Sequence, residues 1–132
     1  MKEAFKENKI HGTRDFPFIV YRGKIPEYIR SFPMHWHEEF EIIYIVSGTG
    51  YISVQNVTYT CCAGDIFLIP PGYIHAIFQY ETKMMEYFNI LYRFSLLEPD
   101  ENSVCYKKYF SPYVSGMQLS AVHFDKLSTL AR

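Results

Sequence analysis

Apolar and polar side chains alternate in short bursts along most of this chain, and each burst is closed by glycine, proline or a charged break. Residues 17–22, carrying Phe18, Ile19, Val20 and Tyr21, predict a first strand. Residues 39–47 predict a longer strand, ended by Gly48 and Gly50, and 50–54 resume the alternation before a turn at Gln55-Asn56. Further strands are predicted over 57–61, 65–69, 75–80 and 85–94. No helical period is visible before residue 95, so the pattern predicts an all-β sandwich or barrel. Beyond it, 98–103 reads as a loop and 106–114 as an irregular strand around Pro112. Asp125 is placed to cap a short helix from Lys126, with Leu127 and Leu130 on one face.

Composition narrows this picture. The 132 residues suit one domain with a real core, and 18% are aromatic, with 12 Tyr and 11 Phe. That content favours a sheet-built core around an aromatic-lined cavity. Thirteen basic and 14 acidic side chains leave a net charge of -1, without the clustered Lys and Arg that phosphate binding needs. Lys107-Lys108 reads as a solvated pair. The charged start lacks the apolar centre of a signal peptide, and no run is long enough for a membrane helix. Cys61, Cys62 and Cys105 make neither a disulfide framework nor a zinc ribbon, which suggests a reduced, cytoplasmic protein with inert thiols.

Two polar clusters interrupt the apolar pattern. In "MHWHEEFEIIYIVSG" one extended segment would point His35, His37, Glu39 and Glu41 the same way. In "GDIFLIPPGYIH" a strand ends in the rigid turn Pro70-Pro71-Gly72, and the next opens with His75, with Gln79 four residues on at the same parity. A curled antiparallel sheet would bring His75 opposite His35 and His37.

The spacing of these clusters resembles the two motifs of the cupin superfamily. His35-x-His37, Glu41 and Gly48 match the first, and Gly64, Pro70, Gly72 and His75 match the second. Ile29 stands where the first motif has glycine, and Gln79 where the second has asparagine. With "HGTRDFPFIVY" and "YKKYFSPYVSG", the whole is similar to the N-terminal effector-binding domain of AraC-type transcription regulators. The resemblance implies a double-stranded β-helix (jelly-roll) barrel that binds a small molecule, often a sugar. It also implies a homodimer and a DNA-binding helix-turn-helix domain beyond Arg132. The expected layout is an arm over 1–16, the barrel over 17–116, and the start of a helical dimerisation region over 117–132. The short helix would find its partner in sequence beyond this chain.

For the site, the resemblance implies an effector pocket formed by His35, His37, Glu41, His75 and Gln79. The three histidines and Glu41 also suit a Zn, Ni, Fe or Mn ion. Other readings stand beside these. The same groups would serve a metal-free polar pocket, and an open metal position would suit a stand-alone metal-dependent cupin enzyme, an isomerase or dioxygenase. A dimerisation or storage domain with a vestigial pocket is a third reading. Glu38 and Glu39 read as surface or rim acids, Trp36 as core, and His11 and His123 as surface or loop histidines. Segment 1–16 reads equally as an arm over the pocket or a frayed terminus.

Overall fold

One long strand, β3 (Phe40–Val54), runs through both sheets of the barrel. The computed structural model describes residues 2–7, 18–27, 31–93, 107 and 123–125. The first half of β3 pairs with β7 (Met85–Tyr92) and β5 (Ile66–Ile69); its second half pairs with β4 (Val57–Cys62) and β6 (His75–Gln79). Three further strands extend the sheets: β1 (Phe18–Ile25) on β7, β2 (Ser31–His35) on β6, and β8 (His123–Phe124) on β5. Every one of these pairings is antiparallel, so the sheets run β1-β7-β3-β5-β8 and β2-β6-β3-β4. This is the all-β jelly-roll architecture that the strand pattern and the motifs predict.

The strand expected to stop at Gly48 bends there instead. The register with β7 shifts between Ile45 and Ser47, and Gly48 takes a φ of +82°. A Cβ at Gly48 would stand 1.9 Å from the Met84 carbonyl oxygen, so only glycine permits the approach. Pairing survives the bend because the Thr49 N–H donates to that same oxygen at 2.9 Å. At Gln55-Asn56 both residues have positive φ (49° and 68°), the primed two-residue turn that suits a twisted hairpin.

The inward positions of the strands meet in one core. Ile43, Ile45, Ile52, Phe67 and Ile69 are wholly shielded from solvent, each worth about 1.5–3 kcal/mol of transfer free energy. Cys61 belongs to this core. Its thiol donates to the Gly50 carbonyl at 3.3 Å, and burial, with the nearby Asp65 charge, pushes it up to about 12.

The loop expected at 98–103, the irregular strand at 106–114 apart from Lys107, and the helix from Lys126 lie outside the described residues. His123 is no surface histidine. It pairs in register with Phe67 and stacks on that ring at 4.6 Å, while its Nε2 lies 3.4 Å from the buried Asp65 carboxylate. This puts a short strand into the stretch 117–132, expected to begin a helical region, because the edge of β5 accepts it. Among the described residues, no helix is long and apolar enough to cross a membrane.

Candidate metal centre and ligand cavity

Two strand ends bring the first two histidines together. His35 closes β2 and His75 opens β6, and they are direct register partners, so their ring centroids lie 4.2 Å apart. His37 sits in the bend that follows, where its carbonyl accepts the Gly72 N–H at 3.0 Å. That bond ties the Pro70-Pro71-Gly72 turn to the first motif. Glu41, second residue of β3, lies between Ile69 of β5 and Leu91 of β7 and shares the inward parity of Ile43 and Ile45. Backbone register thus places four donor groups at one barrel mouth.

The side chains converge further. One donor atom from each of His35, His37, Glu41 and His75 lies within 4.8 Å of all the others. Glu41 Oε2 stands 3.1 Å from His37 Nε2 and 2.7 Å from His75 Nε2. The Nδ1 atoms face outward, each to a nearby backbone carbonyl: His35 to Pro33 at 2.8 Å, His37 to Glu39 at 3.0 Å and His75 to Tyr73 at 2.9 Å. A carbonyl can only accept, so each Nδ1 carries a proton, and each Nε2 is turned inward, free to hold a second proton or a metal ion. The Nε2 of His75 is buried, and the group it faces is the Glu41 carboxylate. Lone pair facing carboxylate at 2.7 Å is repulsive unless a cation, proton or metal, lies between them.

That requirement is the test of fit for a metal, and the donor set meets it. Three imidazoles fixed in one tautomer by backbone carbonyls, with one carboxylate, suit a divalent first-row ion. The donors, all within 4.8 Å of one another, would draw together slightly on a metal, since bonds of about 2.1 Å hold opposite donors ~4.2 Å apart.

Electrostatics follow from the same packing. Burial pulls the His35 imidazole down to about 4, with the facing His75 adding to the shift. Burial also pulls on His37, but the hydrogen bond and charge of Glu41 outweigh it and raise this ring above its ordinary value. Burial alone would raise Glu41; its histidine neighbours, His75 foremost, hold it well below the usual carboxylate range.

Other residues take places the sequence pattern did not assign. Asn89 of β7 donates its amide to Glu41 Oε1 at 2.6 Å and orients the carboxylate. Its signal was a single amide in the apolar run "EYFNILY", at the parity of Tyr87 and Leu91. Glu39, expected at a rim, is buried at 4% exposure; its Oε2 lies 3.9 Å from His37 Nδ1, while Glu38 is exposed and pairs with Lys6 at 3.1 Å. The strand breaks at residues 36–39, so the Glu39 carboxylate does not join the four donors. Gln79 lies at the far end of β6, opposite Gly50, where its amide donates to the Lys83 carbonyl at 3.3 Å. It is not brought to the cluster.

Trp36 is half-buried and packs against the chain's own start, not in the core. Residues 2–5 form a 3-10 turn, and Lys6 bridges to Trp36 in parallel fashion. The indole Nε1 donates to the Lys2 carbonyl at 2.8 Å, and the Lys2 and Lys6 ammonium groups stand 5.0 and 5.2 Å from the ring centroid. Residues 2–7 therefore form a docked arm, and Glu7 reaches the cavity wall.

A cavity of about 220 Å³ opens beside the cluster. His35, His37 and Glu41 line one end; Tyr21, Gly23, Phe32, Ile77, Tyr87 and Leu91 line the rest, with Asn89, Arg22 and Glu7. Gly23 makes room for the Tyr87 ring, since a Cβ there would stand 2.3 Å from its carbons. Burial, aided by the Glu41 charge, pushes the Tyr87 phenol up to about 12.

A jelly-roll barrel with a His-x-His, Glu and His set at one mouth defines a cupin-type binding barrel. Its sequence matches the AraC-like ligand binding domain over residues 22–114, and the chain belongs to that family. It is 26% identical over 120 residues to an uncharacterised HTH-type transcriptional regulator, YdeC, of Bacillus subtilis. That match takes in 89% of this chain, which spans 40% of the regulator's length. Among solved structures, a cupin protein from Bacteroides fragilis is similar with a TM-score of 0.54 at 24% identity, over 58% of this chain and 66% of that one. A predicted oxalate decarboxylase from Thermotoga maritima is similar with a TM-score of 0.52 at 28% identity, over 57% of this chain and 65% of that one.

Proposed function

We propose that this chain is the small-molecule sensing domain of an AraC-type transcription regulator, in which effector binding is coupled to DNA binding by a helix-turn-helix domain of the longer protein. The carrying observation is a largely apolar cavity ending in a buried polar cluster, in a chain of the AraC-like ligand binding family. An effector seated there touches β1, β2, β3, β6 and β7 at once, and the arm through Glu7. Differential contact with arm-docked and arm-released states would give the coupling that regulation requires. The cluster's own role is to hold a divalent ion on His35, His37, Glu41 and His75, which would supply a fixed positive charge at the cavity's end. A cytoplasmic homodimer completes this reading.

A sugar is the effector class the resemblance implies, yet its hydroxyls would meet walls of Phe32, Ile77, Tyr87 and Leu91. The competing reading, a metal-dependent cupin enzyme, is favoured by the metal-ready cluster at an open cavity and by the likeness to the Thermotoga protein. Among the described residues of the cavity wall beyond the donor cluster, the Tyr87 phenol, pushed up to about 12, is poorly suited to give a proton at neutral pH. A thermal-shift screen combined with product analysis decides between them. A sensor gains melting temperature saturably with its effector and returns it unchanged. Metal-dependent conversion at enzyme-like rates would overturn the sensor.

A further inference from the structure

The cavity's walls and the charge at its end together specify an effector. Its volume of about 220 Å³ exceeds the ~150 Å³ of an apolar cavity that admits benzene, so a six-membered ring with a head group fits. Size alone would admit a hexose equally. Polarity separates them. A sugar carries a hydroxyl on nearly every carbon, and each must find a partner when buried. Beyond the donor cluster, Phe32, Ile77 and Leu91 offer none. The Asn89 amide nitrogen is committed to Glu41, and its Oδ1, buried without a hydrogen-bond partner, is a single acceptor. Tyr21, Tyr87 and Glu7 are the polar side chains left on the wall among the described residues, apart from Arg22. The guanidinium of Arg22 pairs with Glu86 at 3.1 Å, and its side chain is 70% exposed.

Charge adds the second constraint. A divalent ion on the cluster meets one carboxylate, Glu41, which is 2% exposed, and three neutral rings. The ligand set then carries one net positive charge at the cavity's end. The buried Glu39 lies behind His37, on the Nδ1 side, with Arg93 4.0 Å from its Oε1 to balance it, and Glu7 stands on the cavity wall outside the ligand set. A monoanion entering the cavity cancels the charge of the ligand set; a neutral sugar or alcohol does not.

We infer that the effector is a small monoanionic carboxylate with an apolar body, its head group directed to the metal-bearing end formed by His35, His37 and Glu41 and its body packed on Phe32, Ile77, Tyr87 and Leu91. This rests on the sensing reading and deepens it. Ligand binding is consequently metal-dependent, and the anionic head and the apolar body each contribute to it.

The test uses the chain loaded with Mn²⁺ or Zn²⁺ and the same chain stripped with chelator. Metal uptake is measured first, by metal alone. Benzoate and isovalerate are then titrated by calorimetry and thermal shift beside benzyl alcohol, arabinose and glucose. The expected result is saturable binding of a carboxylate to the loaded chain, at least tenfold weaker to the stripped chain and with benzyl alcohol weaker than benzoate. Phe32 lies on the cavity wall and is 38% exposed, so a charge there is compatible with folding. Phe32→Asp should weaken benzoate at least tenfold and by more than Phe32→Lys, which loses the same ring contact but keeps a favourable charge. Metal affinity is measured for each variant, because the Phe32 ring lies 4.9 Å from that of His35. Three results would overturn the inference: no metal uptake, equal carboxylate binding with and without metal, or a metal-loaded chain that binds neither carboxylate. Saturable sugar binding in place of carboxylates would overturn it while sparing the sensing reading. Turnover of any bound compound would instead remove the sensing reading.

Discussion

Glu41 Oε2 lies 2.7 Å from the Nε2 of His75, and both residues are at least 98% buried. A contact so short is stable only with a proton or a metal ion between the two atoms. The neighbouring geometry already commits the other ring nitrogen of His75 to the Tyr73 carbonyl.

Metal binding should follow from this arrangement. The chain is expected to take up one divalent ion, and its melting temperature should rise with metal concentration as mass action requires. Asn89→Ala leaves all four donors but frees Glu41 to rotate, so affinity should fall about 10–100-fold. Glu41→Gln removes a donor charge and should cost more. Competition with a chromophoric chelator measures each. Unchanged affinity in both variants would remove Glu41 from the ligand set.

Acid should weaken the metal-free fold in a defined window. His35 titrates near 4 in the folded state against 6.5 unfolded, so between these values the unfolded chain binds the extra proton and stability falls as pH falls. Glu41, held below its ordinary 4.5, acts in the same direction at lower pH. His37 acts oppositely: its raised value adds stability below about pH 6.5, lost as pH rises through the folded-state value. Denaturant melts of the chelator-stripped chain from pH 7 to 4 should therefore show a falling limb that His35→Gln flattens. A parallel limb in the variant would place the acid sensitivity elsewhere.

Gly23 gives a packing prediction. Its missing Cβ is the space the Tyr87 ring occupies, at 2.3 Å from two ring carbons and 2.6 Å from the hydroxyl oxygen. Gly23→Ala should destabilise by about 1–3 kcal/mol through overpacking, and push the ring toward the cavity. Combining it with Tyr87→Leu should recover part of the loss. Additive losses in the double variant would mean that the two positions do not compete for space.

Much of this molecule was legible in the chain because alternation and turn chemistry are local. The strands around Ile43, Ile52 and Phe67 follow from period-two patterning, and the primed turn from Gln55-Asn56. Gly48 was legible only as a break, since whether a glycine ends or bends a strand depends on a partner, here Met84, 36 residues away. The donors His35, His37, Glu41 and His75 were legible from motif spacing. Parity failed for Glu39 because the segment between His35 and Phe40 is not extended, and for Gln79 because the cluster occupies one end of β6 only. Asn89 and His123 were not legible: each acts through a residue distant in sequence, Glu41 and Phe67 respectively.

Trp36 reports the arm directly, because it is the chain's single tryptophan and lies between two donor histidines. The arm holds it through the Lys2 carbonyl, two ammonium groups and the backbone pair Trp36 N to Phe5 O and Glu7 N to Trp36 O, both 2.9 Å. Removing residues 1–7 should expose the indole and shift its emission to the red. Lys2→Ala with Lys6→Ala should shift it less, because exposed cation–π pairs contribute about 0.5–1 kcal/mol each and the backbone bonds remain. Because the backbone on both sides of Trp36 carries His35 and His37, metal loading should stiffen this segment and protect the arm from proteolysis. Emission and proteolysis that are identical with and without metal, in a chain shown to bind it, would mean that arm and cluster are uncoupled.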